Sequence, residues 1–429
     1  MKLVDLGRII LMENKNYIIT ISYGDYTVGV GGTDKVILSH QHIFNEKKYD
    51  CVYLFAFEHF TKYPCWNLLF NGNYIGTYSD KKLKNFIWNQ YKKGSQLEGI
   101  FIHHLNNINF DALNSILSFC QVPIYFYLHD YYTICPSSGL VRTDGTFCGN
   151  GFPSKEKCGC CPLSLDSIDV LKKIHNSFSL FEHRITFIAP SNVAKEIWIR
   201  DYPQYADKTK VIFHQKLIGE YSENSVKIAD NEKIKIGFVG YQRPLKGWNQ
   251  FKNACIVANK KSLDEEFYQF GWGDDKLSFI KQVKVDFKKD NNAMINSLRK
   301  MNIHVAIIYS MWPETYAYTY YEAMASNCFI ITSPKSGNVC SQIVNNKNGL
   351  ITDNLEKVLS DEEKLRKLIN DYRTSNHITP YELIENEEFI NLLMKNSWIP
   401  EKVGISFDIS FLFTVLKKFK NFLKKLRSC

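Results

Sequence analysis

The chain has 429 residues, enough for two or three domains at roughly 100–200 residues each. Its 45% hydrophobic and 23% charged residues exclude a disordered or fibrous chain. Lys and Arg exceed Asp and Glu by 9, but six cations (Lys417, Lys418, Lys420, Lys424, Lys425 and Arg427) crowd into the tail, which makes a nucleic-acid binder with a basic working face the least favoured reading. The N-terminal apolar run, broken by Asp5, Arg8 and Glu13, does not read as a secretory signal. No stretch of about 18 uncharged apolar residues occurs, so a cytoplasmic protein with mostly reduced cysteines is expected. Short apolar runs then alternate with amphipathic ones. Strands are predicted at Tyr17–Ser22, Cys51–Phe57, Ile100–His104, Val122–Leu128, Ile185–Ala189 and Val211–Phe213, with helices between them at 33–44, 81–91, 111–119, 165–181 and 191–198. Apolar runs without polar alternation predict strands buried on both faces, hence a parallel sheet with crossover helices.

The pattern lapses into a polar stretch at 216–233, read as a linker, and a second strand–helix series begins at Ile234. The expected organisation is an N-terminal Rossmann-like domain over 1–215 with a Cys-rich loop at 135–161, then the linker. A second Rossmann-like domain over 234–378, a crossover helix at 379–400 and a basic amphipathic tail at 405–429 follow. Two such α/β domains place a cleft between the carboxyl ends of their sheets, where ligands of open sheets bind.

Two segments of the second half carry chemistry. Strand Ile234–Val239 leads through Gly240-Tyr241-Gln242-Arg243-Pro244-Leu245-Lys246-Gly247 into a helix, and Arg243 and Lys246 on such a loop suit an anionic group at the helix N-terminus. Strand Ile303–Tyr309 leads through Trp312-Pro313-Glu314 into a helix predicted to begin at Thr315, so that the amides of Thr315, Tyr316 and Ala317 cradle an anion. Glu314 precedes that cradle and Glu322 lies roughly 12 Å along the helix at 1.5 Å per residue. A carboxylate on each side of a diphosphate site suits a ligand with hydroxyl-rich rings at both ends, such as a nucleotide sugar.

These segments resemble the retaining glycosyltransferases of family 4, of GT-B fold and bacterial surface-polysaccharide type. The likeness runs through Gly237–Gly240, Lys246-Gly247-Trp248, Trp312–Tyr316, Glu322-Ala323 and Asn346–Gly349. The resemblance implies that Lys246 and Arg243 hold the donor diphosphate, that Glu322 holds the ribose and that Glu314 contacts the transferred sugar. Asn327 stands where the family usually has Gly at a helix-to-strand turn, and Asn tolerates the left-handed conformation such a turn needs.

In the first half, Gly29-Val30-Gly31-Gly32-Thr33-Asp34 follows a strand and opens a helix, with Asp34 where a dinucleotide fingerprint would have its third Gly. A Rossmann dehydrogenase is therefore disfavoured. Gly31 and Gly32 resemble instead the family's Gly-Gly turn, which lets backbone approach the donor. His129 ends the strand Val122–Leu128, and the resemblance puts such a His near the donor sugar, whereas His103 is expected to be a packing residue. Cys158 and Cys161 have the spacing of a zinc half-site that Cys135 and Cys148 would complete as a structural clip; free thiols or a disulfide are the alternatives.

In the tail, Phe411, Leu412, Val415, Leu416, Phe419, Phe422, Leu423 and Leu426 fall within roughly 140° of a helical wheel, opposite the six cations. That is the pattern of a helix lying in an anionic membrane interface. The combined expectation is a peripheral enzyme at the inner face of the plasma membrane. It would move a sugar from a nucleotide donor to a glycan or lipid-linked acceptor with retention, in the synthesis of lipopolysaccharide, capsule or exopolysaccharide. Catalysis would rest on Glu314, Lys246 and His129 and require no cofactor. An epimerase or hydrolase of the same fold, or a non-catalytic nucleotide-sugar-binding scaffold, are the alternatives.

Overall fold

The computed structural model describes residues 15–29, 31–56, 64–142, 147–149, 151–154, 158, 161, 164–221, 227–261, 263–287, 289–375, 378–404, 410, 413–415 and 417. The chain divides into two units: Met1–Tyr127 with Asp169–Ile188 and Glu387–Cys429, and Leu128–Ile168 with Ala189–Asn386.

The first sheet comprises β1 (Asn16–Ser22), β2 (Tyr49–Ala56), β3 (Cys65–Phe70), β4 (Asn73–Ser79), β5 (Gln96–Ile102), β6 (Ile124–Tyr127), β7 (Ile185–Ala189) and β8 (Thr209–Val211), in the order β4-β3-β2-β1-β5-β6-β7-β8. The pairings β1/β2, β1/β5, β5/β6 and β6/β7 are parallel, and β1 is buried from Tyr17 to Ser22, as its uninterrupted apolar run predicts. The sheet is not parallel throughout. β3 and β4, absent from the predicted elements, form an antiparallel hairpin on β2 around Asn71-Gly72, both at positive φ (44° and 81°). Asn-Gly is the pair that a two-residue hairpin turn of this hand selects.

Strand order reverses at β1, with β2 on one side and β5 on the other. Gly31 caps the helix Gly32–Glu46 there, and Asp34 accepts a hydrogen bond from the Gly31 amide (2.9 Å). A carboxylate of the chain itself thus occupies the helix start that a dinucleotide phosphate would need. His103 is buried with its ring stacked on Tyr127 at 4.6 Å, as a packing residue.

The second unit carries a six-stranded parallel sheet: β10 (Ile234–Val239), β11 (Glu265–Phe270), β12 (Ile280–Val283), β13 (Val305–Ile307), β14 (Phe329–Thr332) and β15 (Gly349–Ile351), in the order β12-β11-β10-β13-β14-β15. Its faces carry separate cores. Phe238, Ile307 and Ile331 pack with Trp248 and Phe251 on one side, and Val239, Ala306 and Ile330 pack with Tyr320 and Ala323 on the other. Asn327 adopts φ 56° at the turn before β14, the left-handed conformation expected of it.

Two boundary readings are corrected. Part of the stretch read as a linker is strand β9 (Gln215–Tyr221), and the run read as a crossover helix is strand β16 (Ile378–Glu385) followed by a short 3-10 turn at Glu388–Leu392. The two strands pair antiparallel, with a register shift at Pro380, whose missing N–H and fixed φ also disfavour a helix. Neither strand is an apolar run, so hydrophobic periodicity gave no sign of them.

Most of the predicted tail helix, including Phe411, Leu412, Leu416 and everything from Lys418 onward, lies outside the described residues. Of the rest, Phe413 and Thr414 are buried, and the Thr414 hydroxyl accepts a hydrogen bond from the Thr77 amide of edge strand β4 (2.8 Å). Lys417, one of the six cations placed opposite the apolar arc, lies over the rings of Phe55 (4.3 Å) and Tyr74 (5.1 Å), while Val415 is 45% exposed. No helix among the described residues is long and apolar enough to cross a membrane.

Candidate active site

Strand order in the second sheet reverses between β10 and β13. The loops that follow these two strands therefore diverge at the topological switch point, where open α/β sheets bind ligands. Arg243 and Lys246 lie on the first loop and Glu314 on the second. The loops are joined by the Met311 amide donating to Leu245 O (2.8 Å). They approach so closely that a Cβ on Gly247, at φ 83°, would stand 2.1 Å from Tyr309 O; only glycine fits.

Across this junction the Lys246 ammonium meets Glu314 Oε1 at 2.5 Å. The carboxylate is buried while the lysine side chain stays 40% exposed, and the ammonium lies 5.7 Å from the centroid of the Trp312 ring. Ser310 Oγ donates to the same Glu314 oxygen, also at 2.5 Å. Ser310 is anchored in turn, because the hydroxyls of Ser333 (2.7 Å) and Ser336 (2.9 Å) both donate to its carbonyl. The Asn338 amide donates to Glu314 O (3.0 Å). One carboxylate oxygen is thus held by two donors, and Oε2 has no hydrogen bond among the described residues. Sequence reasoning missed Ser310: a serine four residues before a glutamate carries no signal until the loop is folded.

The helix after Glu314 begins at Tyr318, not at Thr315. Ser191 Oγ donates to Thr315 O (2.7 Å) and Asn338 Nδ2 to Tyr316 O (2.9 Å), so these carbonyls are taken before they can accept helical bonds. Ala317 then turns through the left-handed region (φ 64°) to start the helix Tyr318–Ala325. The amides of Thr315, Tyr316 and Ala317 therefore precede the helix, and its first-turn donors begin at Tyr318. Two remote side chains decide the outcome, and neither is visible from local spacing.

His129 comes close to this segment through its backbone, since the Thr315 hydroxyl donates to His129 O (2.6 Å). Its ring lies 5.4 Å from that of His214, which the sequence reading did not single out. His214 is buried, 4.7 Å from the Tyr316 ring and stacked on Tyr318 at 6.0 Å. Glu322, on the helix, is buried. Burial first, then the Glu385 and Glu322 carboxylates, push the Tyr318 phenol far up, so it stays protonated. The Arg243 side chain is exposed, with no hydrogen bond or ion pair among the described residues. Lys246, Glu314, Thr315, Tyr316, Ala317, Glu322, His129 and Arg243 all belong to the second unit, whereas Gly31 and Gly32 belong to the first.

Cys135, Cys148, Cys158 and Cys161 are all free thiols, and among the described residues no three His, Cys, Asp or Glu side chains gather as a metal site. The Cys148 thiol donates to Leu140 O (3.0 Å), beside the Val141–Phe147 bridge.

Residues 221–383 match the family described as glycosyl transferases group 1, so the second unit carries a domain of that kind. No curated protein matches the chain. Among solved structures, a glycosyltransferase from Rickettsia africae ESF-5 is similar at 14% identity and TM-score 0.51, over 84% of this chain and 92% of that one. HepE of Anabaena, solved with UDP and glucose, is similar at 13% identity and TM-score 0.49, over 84% and 92%. Sucrose-phosphate synthase from Thermosynechococcus elongatus is similar at 12% and 0.48, over 96% and 100%. The fold is GT-B, with two Rossmann-like units, as the sequence resemblance implied.

Proposed function

We propose that this chain is a retaining glycosyltransferase that moves a sugar from a nucleotide donor to a glycan or lipid-linked acceptor. The observation that carries the reading is the Lys246–Glu314 pair, formed by the two loops that diverge at the donor sheet's switch point. A cation and an acceptor-only carboxylate at one junction suit the boundary between a diphosphate and a hydroxylated sugar. Lys246 and Arg243 take the diphosphate, Glu314 takes a sugar hydroxyl through Oε2, His129 contacts the sugar and Glu322 takes the ribose.

In the reaction the bond from the sugar's anomeric carbon to the diphosphate breaks as the acceptor oxygen bonds to that carbon from the same face. The acceptor's proton passes to the departing diphosphate. Negative charge grows on the leaving group, and Lys246 and Arg243, as the cations proposed to hold it, lower the barrier by stabilising that charge. The basic, amphipathic tail supports a peripheral location at an anionic membrane, hence the cytoplasmic face of the plasma membrane and a role in cell-surface polysaccharide synthesis.

The test is a thermal-shift screen of the full chain against UDP-glucose, UDP-N-acetylglucosamine, GDP-mannose and related donors, followed by release of nucleoside diphosphate. The expected result is stabilisation by one donor and turnover of it. A chain stabilised by no nucleotide sugar would end this reading.

A further inference from the structure

We propose that Trp272 and Tyr241 form the platform on which the flat base of the nucleotide donor stacks. The inference rests on the glycosyltransferase reading and deepens it by assigning the base.

Tyr241 follows β10 and Trp272 follows β11, so both stand at the carboxyl ends of adjacent parallel strands, the ligand-binding edge of such a sheet. The two loops are fastened to one another. The Gln242 amide donates to Trp272 O (3.2 Å), Gln242 Nε2 donates to Asp275 O (3.0 Å) and the Asp275 amide returns a bond to Gln242 Oε1 (2.8 Å). Gln269 Nε2 donates to Gly240 O (3.1 Å) and Gln282 Nε2 to Asp275 O (2.7 Å). Trp248 Nε1 (2.7 Å) and Lys252 Nζ (2.9 Å) both donate to the Asp275 carboxylate, holding it below the usual carboxylate range and offsetting its charge.

On this fixed frame the side chains that face solvent are left uncommitted. Trp272 is 63% exposed and Tyr241 43%, and neither makes a ring contact or side-chain hydrogen bond among the described residues. Arg243, two residues past Tyr241, is likewise unengaged. A rigid backbone presenting two bare aromatic faces beside a bare guanidinium matches a ligand that joins a planar ring to an anion. A nucleoside diphosphate is that ligand: with its phosphates at Arg243 and Lys246, the base falls toward the β10 and β11 ends. A platform of this kind grips the face of a base and leaves its edge unread, so it serves uracil and guanine alike.

The test is calorimetric titration of the full chain and of W272A, W272L, W272F and Y241A with UDP, GDP and inorganic pyrophosphate. W272A and W272L are expected to weaken UDP and GDP by about tenfold each, the size of a lost base–aromatic stack. W272F should stay within about threefold of the parent because it keeps a flat ring. Pyrophosphate affinity should be unchanged in all variants, and Y241A should follow W272A in direction. Nucleotide affinities unchanged in W272A, a W272L that matches W272F, or pyrophosphate affinity falling in step with nucleotide affinity would each overturn the proposal. A parent chain that binds neither nucleotide nor pyrophosphate would instead bring down the glycosyltransferase reading, and the stacking platform with it.

Discussion

Lys246 Nζ and Glu314 Oε1 stand 2.5 Å apart although 68 residues separate them in the chain. On the proposed reading a donor diphosphate draws the ammonium toward itself, and the pair is a contact that the substrate shares. Replacing Lys246 with Ala removes charge stabilisation that grows in the transition state, and turnover should fall by about a hundredfold, the scale of a lost transition-state donor. Glu314→Gln keeps the shape but removes the charge. If the two residues act as one unit, the double variant should lose far less than the product of the single losses. Steady-state rates for the four proteins decide this.

Ser310 keeps Glu314 in place without occupying the position proposed for the sugar. Ser310→Ala leaves Glu314 Oε1 with Lys246 alone, and kcat is expected to fall roughly tenfold through misplacement of the carboxylate, with donor KM little changed. Restoring a hydroxyl with Ser310→Thr should recover part of that loss. Equal rates for all three proteins, at matched melting temperatures, would remove Ser310 from the positioning role.

Glu322→Ala should act differently, because the ribose contact proposed for Glu322 would be made equally in ground state and transition state. Donor KM should rise by roughly tenfold or more, the size of a lost charged hydrogen bond, while kcat holds. Parallel loss of kcat would move Glu322 toward the reacting centre.

The cores were legible because they depend on local apolar runs: β1, β7 and β10 fall where those runs put them. Hairpin β3/β4 was also written in the sequence, as Asn71-Gly72 between apolar segments, but its signal lies in turn chemistry and not in helix–strand alternation. Strands β9 and β16 were hidden because their pairing is made across more than 150 residues and neither is apolar enough to announce itself. The same holds within the site. Lys246 and Glu314 were legible as residue types on particular loops, whereas the helix start at Tyr318 depends on Ser191 and Asn338 reaching in from elsewhere. Long-range hydrogen bonds leave no periodicity behind.

Glu265 opens β11 with both carboxyl oxygens buried and no hydrogen-bond partner among the described residues. Burial first, then the neighbouring Glu362 carboxylate, raises its pKa from the ordinary 4.5 to about 8. Glu362 is itself held by Arg366 (2.9 Å), and Cys255 is the other titratable group beside Glu265. The folded chain therefore keeps a proton that the unfolded chain gives up above pH 4.5. The resulting stability is complete below that pH, declines as pH rises and is gone above about pH 8. Glu265→Gln is neutral throughout and should cancel this slope, so its melting temperature should gain on the parent from pH 5 to about pH 8 and level off toward pH 9. A constant difference across that range would show that Glu265 ionises normally.

Thr414, Phe413 and Lys417 hold the described part of the tail against β4, Phe55 and Tyr74, and Val415 points to solvent. At about 100° per residue, the docked positions 413, 414 and 417 centre on the side of the wheel opposite the apolar arc that contains Val415. Among the described tail residues, Phe413, Thr414 and Lys417 are thus on the protein side and Val415, the one described member of the apolar arc, is exposed, which fits the proposal that this arc meets a membrane. Val415→Glu adds a charge to that arc without touching the docked side. It should reduce sedimentation of the full chain with vesicles of phosphatidylglycerol and phosphatidylethanolamine, while leaving the melting temperature unchanged. Removal of residues 418–429 should reduce it further, because half of the arc and five of the six cations go with them. High salt should weaken binding of the parent and of Val415→Glu, since screening acts on the cations both proteins retain. Vesicle binding equal to the parent in both the substituted and the shortened chain would mean that the tail only covers the edge of the sheet.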